Sequence, residues 1–180
     1  MGIKDTSLFW KVGICLQAFG LLFAIIGFAT NHMVQRTDFD WHSGLWKLYS
    51  KDTAMDIEVL IKNVGDNVDW VRAARAMTGI SLGFNLTTIG LSLVGAFYPT
   101  KMASLAAAAT AAVSVAFGVI GSAVCVAKTV ADVKESAKKY KFRLLHDPIP
   151  DWSYGLFMGG QLAYCVVAVL HFVDSRSRSR

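Results

Sequence analysis

Four stretches of this chain carry no Asp, Glu, Lys or Arg over lengths that can cross a lipid bilayer: Val12–Ala29, Met77–Tyr98, Met102–Ala127 and Trp152–Val173. A hydrocarbon core about 30 Å thick takes roughly 20 apolar residues as a helix. Inside lipid a backbone must satisfy its own N–H and C=O groups, so stretches of this kind have to be helical. They also explain the composition, which is 54% hydrophobic and 17% charged, where soluble domains run at about 45–50% and ~25%. The expected fold is an all-α membrane protein. It is a four-transmembrane-helix bundle forming one domain over 1–180, with spans at about 12–29, 77–98, 102–127 and 152–173. Long loops fall at 30–76 and 128–151.

The net charge of +5 would suit an anionic partner if it were gathered on one face, but it is dispersed. Lys4, Lys11, Lys101, Arg176, Arg178 and Arg180 flank the apolar windows, and the remaining Lys and Arg divide between the two long loops. In the first of these loops acids outnumber bases. Solvated loops and flanks of membrane spans explain this pattern, and nucleic acid is not an expected partner. Cys15, Cys125 and Cys165 all lie inside apolar windows, so no loop disulfide framework is available. His32, His42, His146 and His171 are scattered without Cys or carboxylate companions at ligand spacing. No catalytic set, metal site, cofactor site or small-molecule substrate is expected, and the chain does not read as an enzyme. The lipid bilayer is the first expected partner.

Two terminal patterns need a reading. Gly27-Phe28-Ala29 offers a small-x-small cleavage site, but the apolar run before it is longer than the ~7–15 residues of a signal sequence, so a retained span is expected. Gly2 and Thr6 fit the short myristoylation pattern. Charge alone leaves the topology open, because Lys and Arg are plentiful both in the long loops and in the very short segments.

Small residues suggest how the helices approach one another. Gly13, Gly20 and Gly27 recur along helix one, Gly79, Gly83 and Gly90 along helix two, and Gly155 and Gly159 in helix four; helix three is rich in Ala. Such faces allow close backbone contact where water supplies no hydrophobic drive, and Gln17, Asn85 and Gln161 are expected to hydrogen-bond across the bundle. An ion or proton path would call for ionisable residues within the spans, which the windows do not offer among Asp, Glu, Lys and Arg. In the first loop, His42–Ser50 and Ile57–Val64 have strand character, Gly65-Asp66-Asn67 is turn chemistry, and Asn67 suits a helix cap. The second loop begins as a helix continuing span three to about Tyr140, and Pro148 and Pro150 then stop any helix. Met102–Tyr140 as one helix would be roughly 58 Å long, about twice the hydrocarbon thickness.

Within the first loop stands Trp41-His42-Ser43-Gly44-Leu45-Trp46, and Val71-Arg72-Ala73-Ala74-Arg75-Ala76 leads into span two. Gly44, Leu45 and Trp46 match the core of the Gly-Leu-Trp signature of the superfamily of claudins, peripheral myelin protein, epithelial membrane proteins and calcium-channel gamma subunits. The chain resembles that superfamily over almost its whole length. His42-Ser43 is similar to the gamma-subunit version. Arg75 falls on the family's arginine, and Tyr154-Gly155 resembles the start of the claudins' fourth span. The resemblance implies cytoplasmic termini, a plasma-membrane location, and a small extracellular antiparallel β-sheet built from the first loop. Trp46 would wedge between sheet and bundle, Gly44 would permit the close approach, and Arg75 would hold the base of the sheet through a loop carbonyl or carboxylate. Trp41, His42, Tyr49 and Trp70 would form a partner surface.

The departures matter as much. The two family cysteines fall on Tyr49 and near Val59, the earlier family Trp is Met33, the position that tunes pore charge is Ser50, and the tail lacks a PDZ-binding end. The Cys-Cys-Gly and bridged loop of tetraspanins are absent as well. The resemblance implies a tetraspan acting in a cell–cell junction, in adhesion or in a paracellular barrier, by self-association or with another membrane protein. The alternative is an auxiliary, gamma-like subunit of an ion channel or other membrane complex.

Overall fold

The computed structural model describes residues 8–36, 41–50, 53–59, 68–139 and 147–177. Four helices dominate it: α1 (Leu8–Ala29), α2 (Asp69–Phe97), α3 (Lys101–Lys139) and α4 (Trp152–Ser177). Each is long and apolar enough to cross a membrane. Every helix outruns its charge-free window, because Lys11, the Asp69–Arg75 stretch, Lys128–Lys139 and Asp174 continue helical backbone past the apolar run. Helix α2 begins after Val68, which makes no side-chain cap hydrogen bond. The expected cap, Asn67, and the turn at Gly65-Asp66 lie outside the described residues, as does Tyr140.

Around the bundle α1 packs on α4, α4 on α3, and α3 on α2, with a lighter α1–α2 contact closing the ring. Inward positions recur at alternating steps of three and four: Trp10, Gly13, Gln17, Gly20, Ala24 and Gly27 on α1, and Ala74, Thr78, Ser81, Asn85, Thr88 and Ser92 on α2. That period, about 3.5 residues, keeps one seam of each helix toward its neighbours. Apart from Trp10 these seam residues are small or polar, whereas Phe19, Leu22, Leu86, Leu93, Leu162 and Val169 point outward.

The glycine expectation therefore divides. On α1 the three glycines face inward; at Gly27 a Cβ would sit 2.6 Å from the Ser153 carbonyl oxygen. Gly79, Gly83 and Gly90 of α2, and Gly155 and Gly159 of α4, have nothing within contact of a Cβ and face away from the bundle. On α2 the inward seam belongs to residues that hydrogen-bond. The Ser114 hydroxyl lies 3.1 Å from Ser81 Oγ and also reaches Asn85 Oδ1, and Thr88 donates to Thr110 at 3.0 Å. On α4 close approach falls to Gly160, where a Cβ would meet the Gly20 carbonyl oxygen at 2.6 Å.

Among the described loop residues there is one antiparallel sheet in the order β4-β3-β2-β1-β5: β1 (Val34–Arg36), β2 (Trp41–Ser43), β3 (Lys47–Ser50), β4 (Thr53–Asp56) and β5 (Ile149–Pro150). The sheet thus takes its last strand from the second loop, where Val34 pairs with Pro150. Two expectations are corrected. His42–Ser50 is a hairpin, broken between Ser43 and Lys47, and residues 57–59 are helical, with 60–64 outside the described residues. Asp56 Oδ1 accepts from the Glu58 N–H, an aspartate turn that ends the strand where the alternating pattern suggested it would begin. Tyr49 accordingly pairs with Ala54, not with Val59. Cys15, Cys125 and Cys165 are free, and Cys15 and Cys165 face outward.

Candidate functional site at the junction of sheet and bundle

The turn between β2 and β3 seats the sheet on the helices. Gly44 stands against the end of α1, and a Cβ there would lie 2.3 Å from Asn31 Cα, so only glycine fits this approach. Its N–H donates to the Lys47 carbonyl at 3.1 Å, and Asn31 Oδ1 accepts from the Lys47 N–H at 3.0 Å. Leu45 then enters an apolar cluster with Met33, Val34, Ala74 and Cys125, flanked by Phe28, Trp41, Val124, Val130 and Tyr154. Met33, which stands where the family has a Trp, is completely buried.

The wedge role expected of Trp46 is divided between two residues. Leu45 is the inserted side chain, at 1% exposure, while Trp46 lies at the rim, 37% exposed. The Trp46 indole N–H donates to the Phe28 carbonyl at 3.0 Å, and its ring meets Phe28 edge-on at 5.3 Å. Arg75 lies 4.8 Å over the same ring.

Arg75 is the centre of this junction. Its Nε donates to the Leu45 carbonyl at 2.8 Å and Nη2 to the Trp46 carbonyl at 3.4 Å. Nη1 donates to Glu58 Oε1 at 2.6 Å, and Asp56 lies 4.0 Å away. Glu58 also receives Arg72 at 3.4 Å. A fork of fixed donors on α2 thus holds the turn carbonyls and the segment after β4 together.

The other expected residues separate. Trp41 packs into the apolar cluster. His42 is sandwiched between the rings of His32 at 3.9 Å and Tyr49 at 4.9 Å, both nearly parallel to it. His32 Nδ1 lies 3.1 Å from Asp151 Oδ2, and Trp152 stands 5.3 Å from the His32 ring. Partial burial, with His32 beside it, pushes the His42 imidazole below its ordinary range, and Asp151 pulls it partway back. Trp70, half-buried on the first turn of α2, belongs to neither described group.

Sequence reasoning missed Glu58, His32, Asp151 and Trp152. The available signal was positional: His32 follows span one and Asp151-Trp152 stand at the start of span four, so both lie at the helix ends where the sheet rests, although position alone does not pair them. Among the described residues, no group of His, Cys, Asp and Glu could hold a metal ion. The arrangement brings the rings of His32, His42, Tyr49 and Trp152 together on a sheet that Arg75 ties to α2.

No family model matches the chain, and no curated protein matches it. The layout of four membrane-length helices with a small sheet fits that of a claudin-like tetraspan.

Proposed function

We propose that this chain is a claudin-like, multi-pass membrane protein that acts through its sheet in a cell–cell junction, in adhesion or in a paracellular barrier. Its termini would be cytoplasmic and the sheet would stand outside the plasma membrane. The observation that carries the reading is the Arg75 junction, where Gly44, Leu45 and Trp46 meet the arginine that the resemblance singles out. A sheet braced in this way presents its outer rings in a fixed geometry, which adhesion between surfaces requires. Side-by-side association in one membrane and contact across the gap would follow.

Expression in cells that lack junctions tests this. Intramembrane strands in freeze-fracture images are the expected outcome, with a tag beside Gly65 accessible on intact cells and terminal tags accessible only after permeabilisation. Dispersed particles, or the reverse labelling, would overturn it. One observation favours the auxiliary-subunit reading: an outward apolar groove between α3 and α4, lined by Leu105, Ala108, Ala109, Ala112, Ala168, Val169 and Phe172. Its alanines would admit a helix of a larger membrane protein, and co-purification with a channel in place of strands would select that reading.

A further inference from the structure

The end of the bundle away from the sheet holds two ionisable side chains in its interior. His171 is completely buried and Asp174 is 1% exposed. They stand three residues apart on one face of α4, about 4.5 Å along the helix axis. Gln17 of α1 brings its amide nitrogen to 2.9 Å from His171 Nε2, and Ser92 of α2 brings its hydroxyl to 3.0 Å. The same amide nitrogen donates to Ser92 Oγ at 2.7 Å. Trp10 closes one side, its ring edge-on to the imidazole at 4.4 Å, and its indole donates to the Ser92 carbonyl at 2.8 Å. One turn further along α4, Asp174 Oδ2 accepts from Ser104 of α3 at 2.8 Å.

This cluster carries more hydrogen-bonding capacity than the protein meets. His171 Nδ1 and Gln17 Oε1 are buried and have no protein partner. If the Gln17 amide donates to Nε2, the ring proton sits on Nδ1 and the unmet group is a donor. Turning the amide over instead leaves its NH2 unmet. Neither arrangement satisfies every atom. A buried polar group left dry bears its whole desolvation cost, whereas a bridging water removes most of it, and internal waters bind buried polar atoms that lack other partners. The outside is close. Asp174 marks the last turns of α4, followed by exposed Arg176, with exposed Lys11 of α1 and exposed Lys101 of α3 at the same end.

We propose that this end of the bundle binds water internally, and that through it the ring N–H of His171 exchanges its proton with solvent past Asp174 and Ser104. Each exchange returns one proton for the one given up, so no net charge moves. The inference goes beyond the junction reading and is independent of any partner of the sheet.

The test uses the full chain in lipid nanodiscs with 15N-labelled histidine. Replacing His32, His42 and His146 by Gln leaves His171 as the sole signal. In water-edited solid-state NMR the His171 ring should receive magnetisation from water, and its N–H should exchange into D2O within minutes. A ring that stays dark while the histidines of the parent chain light up, with an N–H that survives for hours, would overturn the proposal. Ser104→Ala with Asp174→Leu should slow the exchange at least ~10-fold. Unchanged exchange in that variant would overturn the route past Asp174. If that pair does not fold, Ser104→Ala alone should still slow exchange several-fold, and no change would again overturn the route.

Discussion

The two ends of this molecule are held together by opposite means. At the sheet, large apolar side chains turn inward, with Leu45 and Met33 buried, and one charged fork, Arg75, ties backbone carbonyls to a carboxylate. Along the bundle the inward seams are mostly glycine, alanine, serine, threonine and amides, with Trp10 on α1 and Phe157, Tyr164 and Val167 on α4 as the large buried exceptions, while Phe19, Leu86 and Leu162 point away. The first end follows the rule for proteins in water, where burial of apolar surface drives packing. The second follows the rule for helices in lipid, where the outside is as apolar as any core and association rests on close packing and hydrogen bonds. The same chain obeys both within a few residues of Ala74, which lies in the apolar cluster just before the polar seam begins at Thr78.

Substitutions can break or sharpen this contrast. Leu45→Ala should have the largest effect, about 3 kcal/mol, because it empties a packed apolar site. Thermal melting of the detergent-solubilised protein measures it, and a loss well under 1 kcal/mol would show that the sheet end is not a core of the aqueous kind. Arg75→Gln comes next, at about 2 kcal/mol, since it leaves two turn carbonyls and Glu58 short of donors. The same melts should rank it below Leu45→Ala and above any single change in the seam.

Ser81→Ala in the bundle should cost only ~0.6 kcal/mol, the usual size of a hydrogen bond between membrane helices. A loss as large as that of Leu45→Ala would erase the contrast. The smallest effect is pH dependence at the ring stack. His42 is held below the usual imidazole range, so the folded state takes up its proton later than the unfolded chain does. The neutral fold therefore has its full stability above about pH 6.5 and loses some as pH falls below that value. His42 is only partly buried, so its share of the drop in melting temperature between pH 7.5 and 5.5 should be only about 1 °C. That share is the difference between the parent chain and His42→Gln, and equal drops in the two would remove His42 from the account.

The contrast also explains what could be read in advance. The helices were legible because long runs without charge have few other uses, but those runs report the outward faces. The inward seam of α2 was hidden, since Thr78, Ser81, Asn85, Thr88 and Ser92 lower the hydropathy without forming a recognisable motif, and the glycines that drew attention lie on the other side. Gly44 and Arg75 could be singled out from the motif and its spacing. Glu58, His32 and Asp151 could not be paired from sequence, because each is a single residue in a different segment and pairing depends on the fold. His171 and Asp174 escaped for a simpler reason: one is a histidine, outside the charge count, and the other falls one residue past the window.

Helix α3 is 39 residues long, roughly 58 Å, and Val124, Val126 and Val130 on it touch the cluster beneath the sheet. A rod of that length set in a bilayer is a lever. Its inclination answers to membrane thickness through hydrophobic mismatch, and its far portion would carry the sheet with it. Thinner or thicker membranes would then re-aim the sheet without altering any contact inside it.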